Sequence, residues 1–130
     1  MATVYREPNQ VKWIGVRPGH NGEQVIESDE TTNVLSAIYT VPADKILLLF
    51  GYGLDVWSTV ASAGSFYIYD ATPAIWRILG RITVGANSGR SVPKSLYPPI
   101  ELAEDYSLRI ITNNAACIIN AYIHGVLIDA

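Results

Sequence analysis

The chain has 130 residues, enough for one domain built on a single core. Its 12 acidic and 9 basic residues give a formal net charge of -3, with the bases scattered singly, which argues against a nucleic-acid or anionic-membrane surface. Charged residues make up only 16% against an apolar 49%, and the single cysteine excludes an internal disulfide and a multi-thiolate zinc site.

Residues 1–10 (MATVYREPNQ) carry Pro8 and mixed polarity, and are expected to form an arm or edge strand ahead of a β-sandwich domain over residues 11–130. They lack the basic and apolar regions of a secretory signal, and the apolar run from Ile46 to Gly53 is too short to span a bilayer, so a soluble chain is expected. Val11 to Val16 alternates as a strand does, and Pro18-Gly19 and Asn21-Gly22 mark turns, the latter a hairpin signal. Glu23 to Asn33 is a polar segment. Leu35 to Val41 reads as a strand stopped by Pro42.

After the turn at Ala43 and Asp44, Lys45 to Tyr52 (KILLLFGY) is nearly all apolar and is expected to be buried on both faces. Leu54 to Thr59 continues it past a bulge or bend at Gly53. Ala61 to Ser65 reads as a small-residue loop. Phe66 to Asp70 then alternates, with Phe66 and Ile68 on one face and Tyr67 and Tyr69 on the other. Ala74 to Val84 has apolar residues at helical spacing, but its β-branched content, Gly80 and the preceding Pro73 favour one or two strands over a helix.

Gly85 to Lys94 reads as a loop or a loop with a short edge strand, followed by Leu96 to Leu102 and a turn at Ala103-Glu104-Asp105. Tyr106 to Thr112 places Leu108 and Ile110 on one face, and is expected to form a hairpin with the final run through Asn113-Asn114. That run, Cys117 to Asp129, would be about 40 Å long if fully extended. Ile119, Ala121, Ile123 and Leu127 share one face, and Ile118, Tyr122 and Val126 the other, so both faces call for cover.

Residues suited to chemistry are few. His20 sits in a turn, and His124 has no HxH or HExxH companion. Ser62, Ser65, Ser88 and Ser91 lack a nucleophile elbow, Glu104-Asp105 reads as a solvated tip, and GANSG lacks the lysine of a phosphate loop. No catalytic residue, cofactor or metal ligand is expected. Aromatic side chains remain: Tyr67 and Tyr69, and on the final strand Tyr122 with Asn120 and His124, are candidate interface residues. Trp13, Trp57 and Trp76 are assigned first to core packing. A second reading places Tyr67, Tyr69, Trp57 or Trp76 in an open groove that binds a glycan or receptor.

The segments YTVPADKILLLFGYG and PPIELAEDYSLRIITNNAACIINAYIHGVLID resemble small β-sandwich domains of tailed-phage virion proteins, among them head-decoration, neck and fibre components. The resemblance covers about the last 95 residues. It implies a single antiparallel, jelly-roll-like β-sandwich of seven to nine strands. It further implies a structural part without catalysis, located in the virion after assembly in the host cytoplasm, with copies of itself as a trimer or higher ring and other virion proteins as partners. The absence of a long coiled-coil shaft favours a decoration, neck or adaptor piece over a stand-alone fibre.

Overall fold

A computed structural model describes residues 22–72 and 74–130. The expected arm at 1–10, the strand at Val11 to Val16, the turn signals at Pro18-Gly19 and Asn21, and His20 and Trp13 lie outside the described residues.

Eight strands form among the described residues: β1 (Gly22–Thr31), β2 (Ser36–Thr40), β3 (Lys45–Ser58), β4 (Ser62–Asp70), β5 (Ile75–Val84), β6 (Ser88–Leu102), β7 (Tyr106–Thr112) and β8 (Cys117–Asp129). They pair antiparallel in two four-stranded sheets, β1-β8-β3-β6 and β2-β7-β4-β5. Every connection except β4–β5 crosses from one sheet to the other, so sequence neighbours face each other across the core. This is the jelly-roll arrangement of an antiparallel sandwich, as expected.

The inner faces make one apolar core. Leu47, Leu49, Phe66, Leu108, Ile110, Ile119 and Ile123 are fully buried in it. Tyr52 lies among them, its ring 4.8 Å from that of Phe66 and its hydroxyl donating to the Leu79 carbonyl at 3.1 Å. Cys117 is buried, where a small apolar side chain fits.

Several local expectations are corrected. The polar segment after Gly22 is a full edge strand, β1, because one inward apolar residue, Val25, anchors it while the edge position lets its other side chains reach water. Ser62 to Ser65 is the buried start of β4 rather than a loop. Its side chains are small because the sheets approach closely: a Cβ at Gly64 would lie 2.9 Å from Val56 Cγ2 and 3.1 Å from Ile119 Cδ1.

The bulge in β3 falls between Leu49 and Gly51, not at Gly53, which sits in regular ladder. Leu47 and Leu49 are sealed, whereas Ile46, Leu48 and Phe50 are only half-buried, so β3 is not buried on both faces. The 85–94 region is mostly strand, the first half of the long edge strand β6, whose Pro93, Pro98 and Pro99 are tolerated because an edge strand has unpaired amides to spare. Tyr106 to Thr112 and Cys117 to Asp129 do not form a hairpin: β7 and β8 lie in different sheets. Asn113 to Ala116 make a corner between them, fastened by the Thr112 hydroxyl, whose one proton is shared between the Asn114 and Cys117 carbonyl oxygens, each 2.9 Å away. Residues 75–84 are the strand β5, as favoured.

Candidate functional site

The alternation of β8 is strict through its first nine residues. Cys117, Ile119, Ala121, Ile123 and Gly125 point into the core, and Ile118, Asn120, Tyr122 and His124 point out. Cover for the outer face is not supplied within the described chain. The expected trio Asn120, Tyr122 and His124 therefore stands together on the outer face of the first sheet.

Register extends this row across the sheet. Tyr122 lies between Ser28 of β1 and Gly53 of β3, Asn120 between Glu30 and Asp55, His124 between Ile26 and Gly51, and Ile118 beside Trp57. The glycines are what make the face flat. A Cβ at Gly53 would sit 2.1 Å from Tyr122 Cε2, one at Gly51 2.5 Å from His124 Nε2, and one at Gly89 2.8 Å from Trp57 Cδ1. Each ring thus lies down across a neighbouring glycine, an arrangement that recovers packing where a strand residue has no side chain.

Polar groups are interleaved with the rings. Asn120 Nδ2 donates to Glu30 Oε1 at 3.2 Å. Two shallow depressions of about 290 and about 280 Å³ share Asp55 and Ser91 as lining residues. One is bounded by Trp57, Ile118, Asn120 and Arg90, the other by Gly53, Pro93 and Tyr122.

Tyr67 and Tyr69 are elsewhere. They share the outer face of the second sheet, on the opposite side of the sandwich, and so belong to a separate surface from Asn120, Tyr122 and His124. Trp76 sits beside both, its ring 4.2 Å from that of Tyr69 and edge-on to Tyr67 at 5.7 Å. The Arg109 guanidinium lies 4.3 Å from the Tyr69 ring and 5.5 Å from the Trp76 ring, held by its Nε donating to Ser107 Oγ at 2.8 Å. The result is a cation-aromatic platform built from β4, β5 and β7.

Trp57 and Trp76 are not core residues, contrary to the sequence-based assignment. They are 50% and 44% exposed, because the outward positions of β3 and β5 fall to them. Sequence reasoning also passed over Asp55 and Ile26 as surface residues. Their signal was the pairing register, which no single strand displays. No group of three or more His, Cys, Asp or Glu side chains able to hold a metal ion occurs among the described residues.

No family model and no curated protein sequence matches the chain. Among solved structures, a chain of infectious bursal disease virus, Gx strain, is similar in fold with a TM-score of 0.51 and 12% identity, covering 92% of this chain and 37% of that one. A pentameric capsid protein isolated from metagenomic phage sequences aligns with a TM-score of 0.43 and 17% identity over 80% of this chain and 59% of its own. A chain from Bacillus endospore appendages, described as disulfide-linked pili, aligns with a TM-score of 0.42 and 12% identity over 83% and 86%. This chain thus spans under two thirds of the length of both viral chains, and the first likeness is one of fold alone.

Proposed function

We propose that the protein is a non-enzymatic structural subunit of a virus particle, a decoration, neck or adaptor component of a phage, that assembles with copies of itself and attaches to other virion proteins. One observation carries this reading: the core is complete, yet large apolar side chains are left over on both outer faces. Ile26, Trp57 and Tyr122 stand 65%, 50% and 47% exposed on one, and Ile78 57% exposed on the other, beside Trp76. Core shortage does not account for them. Flat faces of mixed aromatic and polar character suit protein interfaces, where rings provide area and hydroxyl, amide and imidazole groups stay satisfiable. Asn120, Tyr122 and His124 are assigned to one such interface, and Tyr67 and Tyr69 to a second. The fold is shared with a chain of a virus structure, in keeping with this reading.

Negative-stain electron microscopy of the concentrated, purified chain tests it. Rings, tubes or shells of uniform size are expected, and a field of dispersed particles of single-chain size would count against it.

A second reading is favoured by the paired depressions around Asp55. An exposed indole at Trp57 beside a carboxylate and the Asn120 amide could stack on and hydrogen-bond a sugar ring. Saturable quenching of tryptophan fluorescence by a member of a glycan panel, lost in Trp57→Ala, would establish this reading; no change across the panel would remove it.

A further inference from the structure

We infer that the copies join side by side, the β1/β2 edge of one sandwich against the β5/β6 edge of the next, with a contact set by opposite charge. The inference rests on the self-assembly reading and names the surface that carries it. Edge strand β1 has four acidic residues, Glu23, Glu27, Asp29 and Glu30, and no base. The strands at the other edge, β5 and β6, carry Arg77, Arg81, Arg90 and Lys94 with Glu101 as the single acid. β2 is uncharged.

The placement of these charges is specific. By register, Glu23 and Glu27 share the inward face of β1 with Val25, yet both are exposed, because they lie along the open seam between the two sheets. Burial, and after it both carboxylates acting across that seam, raise the pKa of the Tyr39 hydroxyl of β2 above the usual tyrosine value. Arg77, Arg90 and Lys94 likewise sit at inward register positions and are exposed, along the opposite seam. Charges on edge strands guard against unwanted strand pairing. Protection alone does not require one sign on each edge.

The two seams also match in level. One row of the first sheet runs Glu27, Ile123, Tyr52, Lys94 from edge to edge. One row of the second runs Tyr39, Leu108, Ile68, Arg77, and its Tyr39 end is where Glu23 and Glu27 act. A neighbour placed beside this molecule by rotation about an axis along the strands would bring its Lys94 level with Glu27 and its Arg77 level with Glu23 and Glu27. On the same levels Arg90 falls at Thr31, next to Glu30, by way of Val56 and Ile119.

Among the described residues none of Glu23, Glu27, Arg77, Arg90 and Lys94 takes part in an ion pair, the one formed there being Lys45–Asp129. Apolar side chains flank both edges, Ile26 on β1 and Ile75 and Ile78 on β5, and supply contact area beside the charges. An acidic edge meeting a basic edge is a heterologous contact, which builds rings or open chains; a twofold contact would set like against like.

Sedimentation velocity of the full chain at micromolar concentration tests the inference, with circular dichroism as a check on folding. The wild type should sediment as an assembly at about 0.15 M salt and lose most of that species at about 1 M, where screening shortens to about 3 Å. The double variants E23K/E27K and R77E/K94E should each be folded monomers, and the quadruple variant E23K/E27K/R77E/K94E should regain the assembly. An assembly indifferent to salt and present in both double variants would overturn the edge contact and leave self-assembly standing. A wild type that is monomeric at low salt would overturn both. The salt series reads the contact without any substitution, so a variant that failed to fold would not shield the inference.

Discussion

The ring of Tyr122 lies across Gly53 so closely that a Cβ at Gly53 would come 2.1 Å from Cε2 and 2.5 Å from the hydroxyl. The two residues are direct cross-strand partners on β8 and β3, and their stacking flattens the middle of the face proposed to meet another molecule. A methyl group there must push aside only the free end of an exposed side chain. At Gly125, by contrast, an added Cβ would lie 2.4 Å from the Leu48 carbonyl oxygen, a backbone atom that cannot swing away. Gly53→Ala should therefore cost less than about 1 kcal/mol of stability, and Gly125→Ala about 1–3 kcal/mol. Thermal and denaturant unfolding of the two variants checks the order; equal losses would mean that Tyr122 is not free to move.

The two sides of β8 make opposite predictions for adjacent residues. Ile123 is fully buried, and Ile123→Asp should unfold the domain, because an unpaired carboxylate in the core costs several kcal/mol. Tyr122→Asp puts the same charge on the outer face and should leave the fold intact while weakening assembly. Circular dichroism followed by sedimentation separates the outcomes, and a folded Ile123→Asp would contradict the assigned core.

Alkaline pH reports on two tyrosines. Burial pushes the Tyr52 hydroxyl above the usual value of 10.0, and burial with Glu23 and Glu27 does the same to Tyr39. Both are raised in the folded state, so their contribution to stability is fully present below about pH 10 and is lost as pH rises through the folded values. Stability should fall above about pH 10, and less steeply in Tyr52→Phe, which has no proton to lose. Denaturant midpoints of the two proteins across that range test this. Identical slopes would assign the alkaline loss to other groups.

How much of this was legible beforehand depends on whether the signal was local. Period-two runs such as Phe66 to Asp70, and the one-sided pair Leu108 and Ile110, show their buried faces directly, and strand length and spacing point to a sandwich. The β-branched 75–84 segment, despite its helical spacing, followed its propensity. Edge strands were harder, since β1 and the first half of β6 bury few side chains and leave almost no periodic trace. The missed β7–β8 corner is a matter of topology: a short Asn-rich link serves a hairpin or a crossing between sheets equally well. For the candidate surface, alternation on β8 was enough to place Asn120, Tyr122 and His124 together. Exposure of Trp57 and Trp76 was not readable, because tryptophan is most often buried and only cross-strand register puts these two outside.

The central claim, that this chain is a self-assembling structural subunit, is tested most directly by its mass in solution. Sedimentation equilibrium of the 130-residue chain over a range of micromolar concentrations at moderate ionic strength should return a mass several times the 14.2 kDa of one copy. A mass of 14.2 kDa at every concentration would contradict it.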